Sequence, residues 1–197
     1  MLFPAFYRHL EDLKPEPRVL VSEIQRIIDV HHTGVGTIRN KWFPDFPKAG
    51  DGNFIWLEEE RTSAYEEPFS DAIVFVNDRY RDDREMTRVI AAKESMHVFD
   101  TTEQRTCDGD SFRRLLSEIA SKPMQADISE PYAADREALW KAILCLVPHW
   151  LRDAYLEDWQ SGAVQAHELA VRWWIPEKFA AQAMNPYYDE ARRKFGL

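Results

Sequence analysis

Residues 93 to 97 of the chain read Lys-Glu-Ser-Met-His. On a helix, positions i and i+4 lie one turn apart on the same face, so Lys93 and His97 share a face with Glu94 beside them. The pattern His-Glu-x-x-His uses that spacing to put two imidazoles on one zinc ion, while the Glu between them polarises a bound water. Here His97 fills the second imidazole position and Glu94 the general-base position, but the first position is Lys93. A protonated ammonium has three donors and no lone pair, so it does not ligate a metal, and its charge opposes one. Removing its proton is costly from an ordinary pKa of about 10.4. The five residues therefore describe a metallopeptidase-like constellation with a broken metal shell. Asp100 and Glu103, just beyond, are carboxylates within reach of a shifted site.

These residues need a helix, and the pattern predicts one from Asp83 to Phe99, with apolar positions at Met86, Val89, Ile90, Met96 and Val98. Two strands are expected before it, Asn53–Glu58 and the β-branched Asp71–Asn77, joined by a polar loop. Upstream, residues 2–13 and 19–30 carry apolar side chains at helical spacing, and residues 34–52 read as an irregular connection packed by Trp42, Phe43 and Phe46. GVG at 34–36 is too weak for a phosphate loop, since no Lys-Ser/Thr follows. Downstream, a helix is expected from about Ser111, carrying Phe112, Leu115, Leu116 and Ile119. Further helices are expected over 133–146, 149–160, 162–174, 177–184 and 187–195, with Pro148, Gly162 and Pro176 marking boundaries. The fold class is α+β, helix-dominated with a small β-sheet, in one domain over 1–197.

Taken in order, the strand ending in Val76-Asn77, a short polar link and the helix bearing Ala92-Lys93-Glu94-Ser95-Met96-His97 resemble the ImmA/IrrE family of zinc-peptidase-like domains. In that family a strand precedes a helix bearing A-H-E-x-x-H. A second likeness is AVQAHELAVRWWIPEKFA, residues 163–180, which is similar to the family's alanine-rich helix leading to an apolar run and a proline. The resemblance covers roughly residues 53 to 197 and implies a zincin-like domain. It implies a helical N-terminal region over 1–52, a peptidase-like core over 53–197 and a helical insertion near 131–160. It also implies a third ligand on the alanine-rich helix. Counting back from Pro176, that position is Gln165, a poor ligand, with Glu168 or His167 one turn away. Gln165 lies 68 residues beyond His97 (165 − 97). With two substitutions in one shell, the expectation is no bound metal. A compensation is then expected in which the Lys93 ammonium takes the metal's place, held by Glu94, Gln165 or Glu168.

The remaining chemistry-bearing residues have structural readings. His31 and His32 close a helix and suit its C-terminal carbonyls. His149 follows Pro148 beside Trp150, as a packing or capping residue. Cys145 lies in an apolar run as a small core side chain, whereas Cys107 lies in a polar stretch as the more exposed thiol. Trp173 and Trp174 point about 100° apart on a helix, so one is expected in the core and the other at a cleft or partner.

Composition narrows the classes. The chain has 197 residues, 45% hydrophobic and 30% charged, which suits one substantial core. Its formal net charge of −9 opposes the phosphate neutralisation on which nucleic-acid affinity rests. The basic pairs Arg113-Arg114 and Arg192-Arg193 read as solvated helix faces. No run of apolar residues is long enough for a membrane span. The N-terminus lacks the basic start and apolar run of a secretory signal, and two cysteines are too few for a disulfide framework, so a cytoplasmic location is expected. Three functions follow. The leading one is a catalytically inactive peptidase-like module that regulates through a protein or peptide partner, as the resemblance implies for phage, mobile-element or stress-response control. The second is an active zinc peptidase with unusual ligands, His97 with Glu168, His167 or Asp100, and Glu94 as base. The third is a helical interaction protein with no ancestral cleft.

Overall fold

The computed structural model describes residues 1–44, 50–60, 69–101 and 130–197. Two helices open the chain, α1 (Phe3–Leu13) and α2 (Val21–His31). Three strands follow, β1 (Val35–Phe43), β2 (Gly52–Glu60) and β3 (Phe69–Asn77). Next come α3 (Arg84–Ser95), a 3-10 turn (Met96–Phe99) and α4 (Glu130–Leu146). Five short helices complete the described chain: α5 (His149–Asp153), α6 (Leu156–Ser161), α7 (Ala166–Trp173), α8 (Glu177–Ala183) and α9 (Tyr187–Lys194). The fold is mixed α and β, mostly helical, around one small sheet.

Each opening helix buries one stripe. Phe3, Phe6, Tyr7 and Leu10 of α1, and Ile24, Ile27 and Ile28 of α2, recur at helical spacing and are buried together. The sheet has the order β1-β3-β2, with β3 parallel to β1 and antiparallel to β2. Its central strand is the most apolar one: Ala72, Val74 and Val76 are buried on the face turned to the helices.

Strand β1 departs from the irregular connection expected over 34–52. It is an edge strand, buried at Val35 and Ile38 and then exposed from Arg39 to Trp42. Polar residues on an edge strand, with Gly36 inside it, erase the alternation that marks a strand in sequence. The helix expected over 149–160 is likewise two helices with a turn at Ala154 and Tyr155, and the one expected from 162 begins at Ala166. Gly162 closes α6 in the left-handed region at φ 77°, where a Cβ is disfavoured, so helix 162–174 loses its first residues. The helix expected near Ser111, together with Phe46, Glu103, Cys107, Arg113 and Arg114, lies outside the described residues.

Two helices make the centre. Helix α3 lies against β2 and β3 on one side and α4 on the other. Every residue from Arg88 to Val98 is buried, so beyond its first turn this helix has no solvent face. On α4 every residue from Ala138 to Leu146 is buried, Trp140, Lys141 and Leu144 as well as the stripe of Ala138, Leu139, Ala142, Ile143 and Leu146, the pattern of an interior helix. The segment expected as an insertion near 131–160 thus contributes a central helix of the core. No described helix is long and apolar enough to cross a membrane.

Candidate functional site: a buried cluster of charges

A helix with no solvent face must satisfy every polar group it carries from within. Helix α3 is capped by Asp83, whose side chain accepts from the Met86 amide at 2.9 Å. Arg88 donates to the Trp173 carbonyl at 2.8 Å and pairs with the carbonyls of Trp174 and Val19, tying α3 to both chain ends. Ser95 donates to the Ala91 carbonyl at 2.7 Å and receives Gln25 Nε2 at 3.0 Å. That leaves Lys93, Glu94 and His97, each under 9% exposed.

Their partners come from three elements. Lys93 Nζ lies 2.9 Å from Glu94 Oε1 and also pairs with Asp135 of α4. His97 sits in the 3-10 turn, and its Nδ1 meets Asp100 Oδ2 at 2.5 Å. Its Nε2 faces Asp135 Oδ1 at 3.5 Å and Glu94 Oε2 at 3.7 Å. Asp135 is therefore the hub, touching both Lys93 and His97. The cluster holds three carboxylates against an ammonium and an imidazole, all buried.

Burial alone would discharge these groups, yet the pairing overrides it. Burial disfavours the Lys93 charge, but Glu94 and Asp135 outweigh it and raise its pKa above the ordinary lysine value. Burial also disfavours charged His97, and hydrogen bonds to Asp100 and Asp135 still raise its pKa to about 9. Burial pushes Asp135 up, while Lys93 and His97 together hold it below the usual carboxylate range. At neutral pH the cluster thus carries an ammonium and an imidazolium, with His97 donating from Nδ1 to Asp100. Asp100 Oδ1 has no hydrogen-bond partner among the described residues, and nearby Lys141, itself buried, feels the Asp100 charge.

The sheet closes on the cluster through Gly52. A Cβ there would meet Ile90 Cγ2 at 2.5 Å, Glu94 Cγ at 2.8 Å and Glu94 Oε1 at 2.9 Å. The first residue of β2 therefore passes directly over the Glu94 carboxylate, and Phe54, two positions on, brings its ring centroid within 6.2 Å of His97.

The other positions expected at a metal site lie elsewhere in use. Gln165, His167 and Glu168 are exposed at the start of α7. The Gln165 amide donates to Glu168 Oε2 at 2.7 Å, and Gln165 Nε2 donates to the Gly162 carbonyl at 3.1 Å. These are helix-capping bonds. The structure brings Lys93, Glu94, His97 and Asp100 together and adds Asp135, which the sequence reading missed. A signal for it existed: Asp135 precedes a run from Ala138 to Val147, apolar but for Lys141, that ends at Pro148, the same order of features assigned to residues 163–180. It also lies only 38 residues beyond His97 (135 − 97).

The donor set as it stands does not fit a zinc ion. The Lys93 ammonium, which has no lone pair to offer a metal, is already seated on Glu94 and Asp135, the two carboxylates that face His97 Nε2. Of the remaining readings, Cys145 is buried and its thiol is pushed up by burial, as a core residue should be. His149 packs against Tyr7 and Trp150. His32 caps α2, its Nδ1 accepting from the Gly34 amide at 3.2 Å, while His31 stacks on His9 at 3.9 Å. Trp173 is buried, and Trp174 is stacked beneath Arg18 and Arg88 at 4.7 and 5.2 Å. No protein-family model, no curated protein and no solved structure matches this chain.

Proposed function

We propose that this chain is a non-catalytic, zincin-like module of the ImmA/IrrE kind, which acts by holding a protein or peptide partner and not by cutting it. The observation that carries the reading is the Lys93 ammonium seated between Glu94 and Asp135 beside His97. A lysine and a protonated histidine together bring the formal charge of one divalent ion to the point where such an ion would sit. Glu94 and Asp135 thereby have a buried cationic partner with no metal. Glu94 is engaged by the ammonium and so held from acting as a base, and the ammonium in the metal's place has no vacant orbital with which to activate water. The acidic net charge disfavours nucleic acid and leaves proteins as the partner class. An active peptidase would need Lys93 to leave its two carboxylates.

Elemental analysis of protein purified without chelators or a metal-affinity tag tests this reading. The native chain is expected to carry no stoichiometric zinc. The Lys93→His variant restores a second imidazole within reach of Asp135 and is expected to take up about one zinc per chain. Adding Asp135→Asn to that variant is expected to abolish the uptake. Near-stoichiometric zinc in the native protein would overturn the reading and bring the active peptidase forward.

A further inference from the structure

Strand β1 presents an open edge. Among the described residues it pairs only with β3, and from Arg39 to Trp42 four consecutive residues are exposed, with α2 reaching this stretch through Gln25, whose side chain exchanges hydrogen bonds with Asn40. An edge strand leaves alternate amides and carbonyls unpaired toward the outside, a template for another extended chain. Beside this stretch lies a cavity of about 240 Å³ with Val21, Val76 and Ala91 among its apolar lining and Trp42 and Arg88 forming part of its walls. An engineered apolar cavity of about 150 Å³ already admits benzene, so this one has room for a large apolar side chain. Trp42, 40% exposed, is held in place by Arg81, whose guanidinium lies 5.3 Å from the ring centroid.

The charge at this place is opposite to that of the chain as a whole. The formal net charge is −9, yet the cavity is lined by Lys41 and Arg88 and by no acidic side chain among the described residues. Arg88 itself donates to the carbonyl oxygens of Trp173, Trp174 and Val19. Burial first, and then the neighbouring Arg18 charge, lower its pKa to about 10, with the Glu85 carboxylate acting against them. A lysine on an open edge also repels basic strands and admits acidic ones.

We propose that the β1 edge from Arg39 to Phe43 is the partner-binding surface, and that the partner is an extended acidic peptide segment. It adds as a strand outside β1, sets one bulky apolar side chain into the cavity against Trp42, Val21 and Ala91, and places its carboxylates beside Lys41. Main-chain bonds to β1 supply affinity, and the cavity with its cationic lining supplies selection. The inference rests on the reading of the chain as a protein-binding module and names the surface that does the binding.

The test uses the full chain and two dye-labelled nonapeptides, one alternating Glu with Val around a central Phe, the other with Lys in place of each Glu. By fluorescence anisotropy the acidic peptide is expected to bind at least about tenfold more tightly than the basic one. Lys41→Glu is expected to reverse that preference. Val21→Phe, which plugs the cavity from the half-buried first turn of α2, is expected to remove binding while the thermal melt shows the fold retained. Equal binding of both peptides, or binding indifferent to both substitutions in folded protein, would overturn the proposal. So would self-association in sedimentation that Val21→Phe abolishes, since the edge would then belong to a second copy of the chain. Zinc analysis tests the parent reading separately. A metal-free chain that ignores the acidic peptide refutes only this surface, and a zinc-bearing chain that binds it at β1 refutes only the non-catalytic reading.

Discussion

Helices α4 and α7 look alike in sequence and behave oppositely in the fold. Each carries an acidic residue near its start, then alanine and apolar residues, then a proline. On α4 the acidic residue, Asp135, is 4% exposed and grips Lys93 and His97. On α7 it is Glu168, exposed, and its carboxylate closes the first turn by accepting from the Gln165 amide. The same local pattern therefore serves a buried charge network in one place and a helix cap in the other. What separates them is the neighbour each helix meets: α4 lies against the buried charges of α3, whereas the start of α7 faces water.

Substitutions should expose that difference, most strongly in the cluster. Asp135→Ala leaves Lys93 without its α4 partner in the interior and is expected to cost roughly 3–5 kcal/mol in urea denaturation. Lys93→Met should do comparable damage by stranding Glu94 and Asp135. The double variant Lys93→Met/Asp135→Leu removes one charge of each sign and should recover part of the loss, with Glu94 and His97 left to pair with each other. A next tier concerns the sheet. Gly52→Ala drives a methyl into Ile90 and Glu94 and is expected to destabilise by about 1–3 kcal/mol, read as a fall in the urea midpoint.

The pH dependence of the cluster follows from His97. Its folded pKa is raised to about 9 from an ordinary 6.5. The stabilisation it contributes is complete below the unfolded value and is lost as pH rises through the folded one. Wild type minus His97→Gln should therefore shrink between about pH 6.5 and pH 9, by on the order of 1–3 kcal/mol. A difference that stays constant across that window would mean that His97 is not charged in the fold. The smallest effect belongs to α7, where Glu168→Ala removes one exposed cap and is expected to cost under about 1 kcal/mol.

Much of this was legible in the sequence where the physics is local. Helical spacing put Lys93, Glu94 and His97 on one face, and the chain turn after them put Asp100 within reach. The apolar stripes of α1 and α2 and the β-branched run of β3 also announced themselves. What failed was non-local or masked by exposure. Strand β1 reads as irregular because an edge strand carries Arg39, Asn40 and Lys41 where a central strand would carry apolar residues. Asp135 was overlooked because periodicity identifies a buried helix without saying which of its polar residues will meet a charge 38 positions back (135 − 97). Two helices shared one signature, and only packing distinguishes them.

The most direct measurement is a pair of double-mutant cycles on folding stability, Lys93→Met with Asp135→Asn and Lys93→Met with Glu168→Gln. Direct contact between Lys93 and Asp135 predicts a coupling at the upper end of the roughly 0.5–3 kcal/mol seen for residues in one network. For Lys93 and Glu168 the prediction is additivity to within about 0.5 kcal/mol. Additive behaviour with Asp135 and coupling with Glu168 would contradict the account, and would return the partner of Lys93 to helix α7.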